Sequence, residues 1–95
     1  MLNENQQKKF ADFYESARHN DTLDAKTTLL LHLGAAMAVG CIPCMETYFG
    51  AARKEGITEE EIGAVQAAVM AVSAGRVAAQ LREVERRGRK PGGCC

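Results

Sequence analysis

Residues 24–48, DAKTTLLLHLGAAMAVGCIPCMETY, decide how this chain is read. Asp24 is an N-cap residue type placed directly before a helical pattern. Behind it, Leu29, Leu30, Leu31, Leu33, Ala36 and Met37 cover most of the circumference of a helix, the pattern of a buried helix rather than a surface one. Gly40 ends that helix, as glycine does where the chain turns left-handed. Cys41-Ile42-Pro43-Cys44 then opens a third helix running to about Glu55, with Pro43 in the first turn, where its missing N–H costs nothing.

Outward from this segment the periodicity stays helical and no strand pattern emerges. Phe10, Phe13, Tyr14 and Ala17 recur at i, i+3, i+4 and i+7, giving a first amphipathic helix that His19-Asn20-Asp21 breaks. After a turn at Gly56-Ile57, Thr58-Glu59-Glu60-Glu61 has the form of a capping box with acid in the first turn. A fourth helix follows with Ile62, Val65, Val69 and Val72 along one face; Ser73-Ala74-Gly75 is expected to kink or interrupt it. Val77, Leu81 and Val84 continue the stripe beside the i, i+4 pair Glu83 and Arg87. The fold class is all-α, with one domain over 1–90 and a flexible tail over 91–95 that carries the vicinal pair Cys94-Cys95.

The 95 residues contain 12 basic and 12 acidic side chains, so no net field points to nucleic acid. The one basic run, Arg86-Arg87-Gly88-Arg89-Lys90, ends a helix and suits the negative end of its dipole. Met1 to Lys9 lacks the apolar centre of a signal peptide, and the apolar run Leu29 to Val39 is too short to span a bilayer. A cytoplasmic protein without a membrane or nucleic-acid partner is expected. Alanine supplies much of the apolar content and there is no tryptophan, so a monomer has a thin core and self-association is expected to bury more surface.

In a reducing compartment four cysteines point to catalysis, redox sensing or metal binding rather than to structural staples. Two cysteines separated by two residues can close a small disulfide, and the positive end of a helix favours the thiolate. A thioredoxin-like site follows a strand, whereas helix-forming sequence precedes Cys41. A zinc site needs four ligands, and the vicinal pair Cys94-Cys95 is poorly shaped for the same tetrahedron as Cys41 and Cys44. An all-helical dithiol remains.

The run from Leu23 to Ile62 resembles the carboxymuconolactone decarboxylase and AhpD-like alkylhydroperoxidase family. The shared pieces are the Leu23-Asp24-Ala25-Lys26 helix start, the small-residue helix ending in Gly40-Cys41, the Cys-x-x-Cys pair, the Gly56-Ile57-Thr58-Glu59-Glu60-Glu61-Ile62 turn, and Ala74-Gly75 further on. The resemblance implies an all-α fold assembling as a trimer or hexamer. It also implies a thiol peroxidase or disulfide oxidoreductase with Cys44 attacking and Cys41 resolving, and with no cofactor. The substrate would be a hydroperoxide or a disulfide, and a small thiol or a thiol protein would be the reductant. Lactone decarboxylation is not expected, because the substrate-binding residues of decarboxylating members are not recognisable. Redox members usually carry histidine four residues after the second cysteine and glutamate twelve residues before the first; here those positions are Tyr48 and Leu29.

Two side chains are candidates to stand in. On a shared helix Tyr48 projects ~20° from Cys41 and ~40° from Cys44, so it is aimed between the thiols. A phenol is nonetheless a poor base at neutral pH. His32 lies one turn after Leu29, ~60° around the helix, and reads either as a proton carrier for the thiols or as a core histidine bonded to backbone. Glu46 is expected to face solvent or a neighbouring subunit, and Met37, Met45 and Met70 to fill the core. The tail cysteines suggest an arm exchanging disulfides with Cys41 and Cys44. Alternatively, Cys41, Cys44, Cys94 and Cys95 together form a soft-metal or metalloid binding module without turnover.

Overall fold

The computed structural model describes residues 1–89 and consists there of four helices and no strand: α1 (Glu4–Arg18), α2 (Ala25–Val39), α3 (Ile42–Lys54) and α4 (Glu59–Gly88). Cys94-Cys95 and the rest of the tail lie outside the described residues. Each helix begins on a side-chain cap. Asn3 and Gln6 form a capping box at α1, and Asp24 accepts from the Thr27 N–H at α2. Thr58 and Glu61 form a second capping box at α4. These caps satisfy N–H groups that have no partner within the helix.

α2 is the hub. Every close backbone approach between helices involves it, while α1, α3 and α4 have no Cα atoms within 8 Å of one another. The core is correspondingly small: Leu29, Leu33 and Ala36 from α2, Tyr48 and Ala52 from α3, Ile57 from the turn and Ile62 from α4. Leu33 is fully buried. The α2–α4 crossing is close because Gly34 has no side chain; a Cβ there would meet Val65 Cγ1 at 3.2 Å. Lys26 of α2 also forms an ion pair with Glu61 of α4.

α2 ends in a tight left-handed turn. Gly40 has φ 72°, the Cys41 N–H bonds back to the Ala36 carbonyl at 3.0 Å, and α3 begins at the next residue. A side chain with a Cβ disfavours that conformation, which explains the glycine. The same device closes α3, where Gly56 has φ 80° and the Ile57 N–H reaches the Ala52 carbonyl at 2.9 Å.

Several expectations change. Ser73-Ala74-Gly75 does not interrupt α4, which runs unbroken through them. One glycine costs about 1 kcal/mol of helix propensity, and the surrounding alanine, arginine, leucine and glutamine residues offset it. α1 buries none of its residues, and Phe10 and Phe13 are 65% and 62% exposed. α2 is not buried all round, since Leu31 and Val39 face outward. Met37 and Met45 pack on the core as expected, but Met70 is exposed because the far half of α4 overhangs α2. A 15-residue helix is about 22 Å long and a 30-residue helix about 45 Å, so among the described residues α2 does not cover that overhang. Val72, Val77, Leu81 and Val84 are exposed along it.

The radius of gyration is 18.8 Å, against about 12 Å for a compact chain of this length. Beside the α2–α4 crossing an apolar groove of about 570 Å³ opens, floored by Gly34, Ala35, Ala38 and Ala68. α4 also contains an 18-residue window of mean hydropathy 1.5, long and apolar enough to cross a bilayer by length and composition. An interface helix between subunits has the same profile.

Substituting Gly34→Leu forces side-chain atoms into Val65 and should lower stability by about 1–3 kcal/mol. Gly50→Ala, where a Cβ meets nothing within 4 Å, should hold or raise it. Thermal melts followed by circular dichroism check the pair; equal melting temperatures would contradict the close α2–α4 crossing.

Candidate functional site: a disulfide at a helix start

Cys41 and Cys44 are joined by a disulfide, with their Cα atoms 5.2 Å apart. Cys41 is the N-cap of α3, and its Sγ accepts a hydrogen bond from the Cys44 N–H at 3.3 Å. The first turn of α3 has few donors to satisfy. Pro43 has no N–H, and the Met45 N–H already reaches the Cys41 carbonyl at 2.9 Å. The Cys44 N–H is therefore the donor turned back on the Cys41 sulfur. Both cysteines are half-buried, while Ile42 and Pro43 between them are exposed. Cys44 packs against the hydrophobic core.

Tyr48 lies one turn beyond Cys44 and is only 6% exposed. Its hydroxyl is hydrogen-bonded to the hydroxyl of Tyr14, which comes from α1. The sequence aims Tyr48 between the thiols; in the structure its polar tip is held by a residue 34 positions away. The Arg18 guanidinium sits over the Tyr48 ring, 5.8 Å from its centroid. These two side chains carry α1 to α3 across a gap that the backbones do not close. Burial, first, and the hydrogen bond and charge of Tyr14, second, push the Tyr48 phenol up to about 12 against an opposing pull from Arg18.

His32 stands edge-on between the two phenols, its ring centroid 5.3 Å from that of Tyr48 and 6.5 Å from that of Tyr14. Its Nδ1 bonds to the Thr28 carbonyl at 2.9 Å, the backbone pairing of the second sequence reading. With Nδ1 donating, a neutral ring presents Nε2 as an acceptor. Thr28 is buried and accepts from Asn20 Nδ2 at 3.0 Å, so the polar cluster continues into the α1–α2 turn. His32 also lines a shallow pocket of about 240 Å³ between α1 and α2, with Ala17, Asn20, Leu23 and Leu31.

Leu29 is 2% exposed in the core, so a carboxylate at that position would be desolvated among Leu33 and Ile62. Glu46 is exposed, as expected. Tyr14 and Arg18 are the residues that local sequence reading misses. Tyr14 falls on the apolar stripe of α1 and is indistinguishable there from Phe10 and Phe13.

The chain has two tyrosines and no tryptophan, so phenolate absorbance reports this pair without background. Tyr14→Phe should lower the Tyr48 midpoint from about 12 toward the ordinary 10, with burial holding it above that value. Because the folded state keeps this proton to higher pH than the unfolded chain does, its contribution to stability is complete below pH 10. It is lost as pH rises to about 12. Melting temperature should fall through that window, and less steeply in the variant; an unchanged slope would break the link to the Tyr14 bond.

The profile of the carboxymuconolactone decarboxylase family matches residues 5–86. No curated protein and no solved structure matches the chain significantly. The matched span runs from the first turn of α1 to the last turns of α4, and it includes the Gly40 turn, the cysteine pair and every residue of the cluster around Tyr48. On that match the chain belongs to the carboxymuconolactone decarboxylase family.

Proposed function

We propose that the protein is a small thiol oxidoreductase that cycles Cys41 and Cys44 between dithiol and disulfide. The observation that carries this reading is the half-exposed disulfide capping a helix, where backbone N–H groups and the helix dipole stabilise the thiolate released on reduction.

With a hydroperoxide ROOH the cycle balances without a cofactor. One thiolate attacks the terminal oxygen, the O–O bond breaks, and the departing alkoxide takes a proton to become ROH. The sulfenic acid left behind is attacked by the other thiol, which expels water and closes the disulfide. A dithiol reductant then restores both thiols and leaves oxidised. With a disulfide substrate, two successive exchanges carry the same two electrons and two protons.

The proton chemistry favours disulfide exchange over peroxide reduction. Tyr48 holds its proton more tightly than a free phenol and hydrogen-bonds to Tyr14, so it is no general base near neutral pH. His32 is the one imidazole beside the cluster, and in this reading it passes protons between the thiols and solvent.

The working unit is a homo-oligomer. The support is a chain that is 18.8 Å in radius of gyration, an α1 with no buried residue, and an overhanging α4 with an exposed valine and leucine stripe. Each large apolar side chain taken from water contributes about 1.5–3 kcal/mol, more than a core of seven residues can forgo. Sedimentation equilibrium should give a multiple of the 10.3 kDa chain mass, and a monomer at micromolar concentration contradicts the assembly.

Turnover is tested by coupled assays with an alkyl hydroperoxide and with a small-molecule disulfide. The wild type should reduce the disulfide faster than the peroxide, and Cys41→Ser and Cys44→Ser should each abolish turnover. Tyr48→His should raise peroxide turnover about tenfold or more by supplying a base beside the pair. A wild type that consumes neither substrate sinks the oxidoreductase reading.

A further inference from the structure

We infer that Cys41, and not Cys44, is the attacking thiolate of the pair. This rests on the dithiol reading above and reverses the order that the family resemblance implies. In that order the second cysteine is the nucleophile, with a histidine four residues later to serve it.

Three features of the site separate the two sulfurs. The first is the donor. The Cys44 N–H, a first-turn N–H without a helical partner, is directed at Cys41 Sγ at 3.3 Å. A hydrogen bond from a backbone N–H to an ionised acceptor is about twice as strong as one to a neutral acceptor, so it favours the Cys41 thiolate. The second is burial. Cys44 packs against the core, whereas Cys41 stands at the cap, outside the core cluster. Apolar surroundings penalise a thiolate, and the positive end of a helix stabilises one. The third is Tyr48. In a helix a long side chain leans back over the residue one turn earlier, which places the Tyr48 ring on the Cys44 side of α3. Its hydroxyl, the natural donor to a Cys44 thiolate, is instead set against the Tyr14 hydroxyl of α1 and makes no hydrogen bond to Cys44. Cys44 thus lacks both the family's histidine and the phenol that replaces it.

In the resulting step, the Cys41 thiolate attacks one sulfur of a substrate disulfide RSSR. A Cys41–SR mixed disulfide forms, and RS⁻ leaves and takes a proton from solvent. The Cys44 thiol then releases its proton to solvent and attacks Cys41 Sγ. This closes the internal disulfide and expels the second RS⁻, which is protonated in turn. Two electrons pass from the protein to the substrate, while Cys44 gives one proton to solvent and solvent supplies the two that the RS⁻ groups take. Cys44, packed against the core, is suited to this second, intramolecular attack, where proximity offsets a weaker nucleophile.

Limited alkylation tests the assignment on the full chain. Fully reduced wild type is treated with substoichiometric iodoacetamide at pH 6. The label on peptide 27–53, which contains both cysteines, is located by fragmentation; label on Cys94 and Cys95 is counted separately. The thiolate and not the thiol is alkylated, so Cys41, which receives the Cys44 N–H, should carry about three times the label of Cys44. A disulfide chromophore should likewise react about threefold faster with Cys44→Ser, which retains Cys41, than with Cys41→Ser. Equal labelling, or an excess on Cys44, overturns the assignment. The labelling ratio does not depend on turnover, so a protein inactive toward peroxide and disulfide would fail the functional reading while still deciding which sulfur is the stronger nucleophile.

Discussion

The turn at Gly40 is the constraint on which the site depends. It stops α2 after Val39, returns the Cys41 N–H to the Ala36 carbonyl, and starts α3 with no linker. With no residue to spare, Cys41 is at once the end of one helix and the cap of the next. Its sulfur must therefore lie over the open N–H groups of α3. The same turn directs α3 back along α2, which brings Tyr48 beside His32 and buries Ala52 with Leu33. A bulkier residue at position 40 would disturb the fold and the thiol chemistry together, because both use the same backbone geometry.

Around that turn, the positions where redox members of the family carry glutamate and histidine hold side chains with other partners. Leucine at position 29 completes the core and leaves no room for a solvated carboxylate. The phenol at position 48 is satisfied by a second phenol and a guanidinium rather than by the sulfurs. The polar groups around Tyr48 thus bond chiefly to one another, across three helices. Their effect is to anchor α1, which otherwise has little hold on the rest of the chain, to the helix that bears the cysteines.

Much of the fold was legible along the chain. Asp24 and Thr58 mark helix starts through caps, Gly40 and Gly56 mark turns, and the leucine-rich periodicity of α2 marks the hub. These signals are local, written within a turn or two of the structure they specify. The unbroken passage of α4 through Gly75 was not legible, since a weak breaker competes there with strong neighbours. The Tyr14–Tyr48 bond was not legible either, because it depends on how α1 lies against α2, which no spacing within α1 encodes. Helical angles relate Tyr48 only to the other residues of α3. They could not say that its hydroxyl would be claimed from outside that helix.

The proposed chemistry requires that Cys41 and Cys44 form a reversible two-electron couple in the native protein. Equilibration in a graded series of dithiol and disulfide buffers, with acid quench, alkylation and mass measurement of peptide 27–53, tests it most directly. A reversible couple gives a single transition between a form with two alkyl groups and a form with none, at one midpoint whether approached from the oxidised or the reduced side. Cysteines that alkylate across the whole series, or a disulfide that resists reduction until the helices melt, would contradict it.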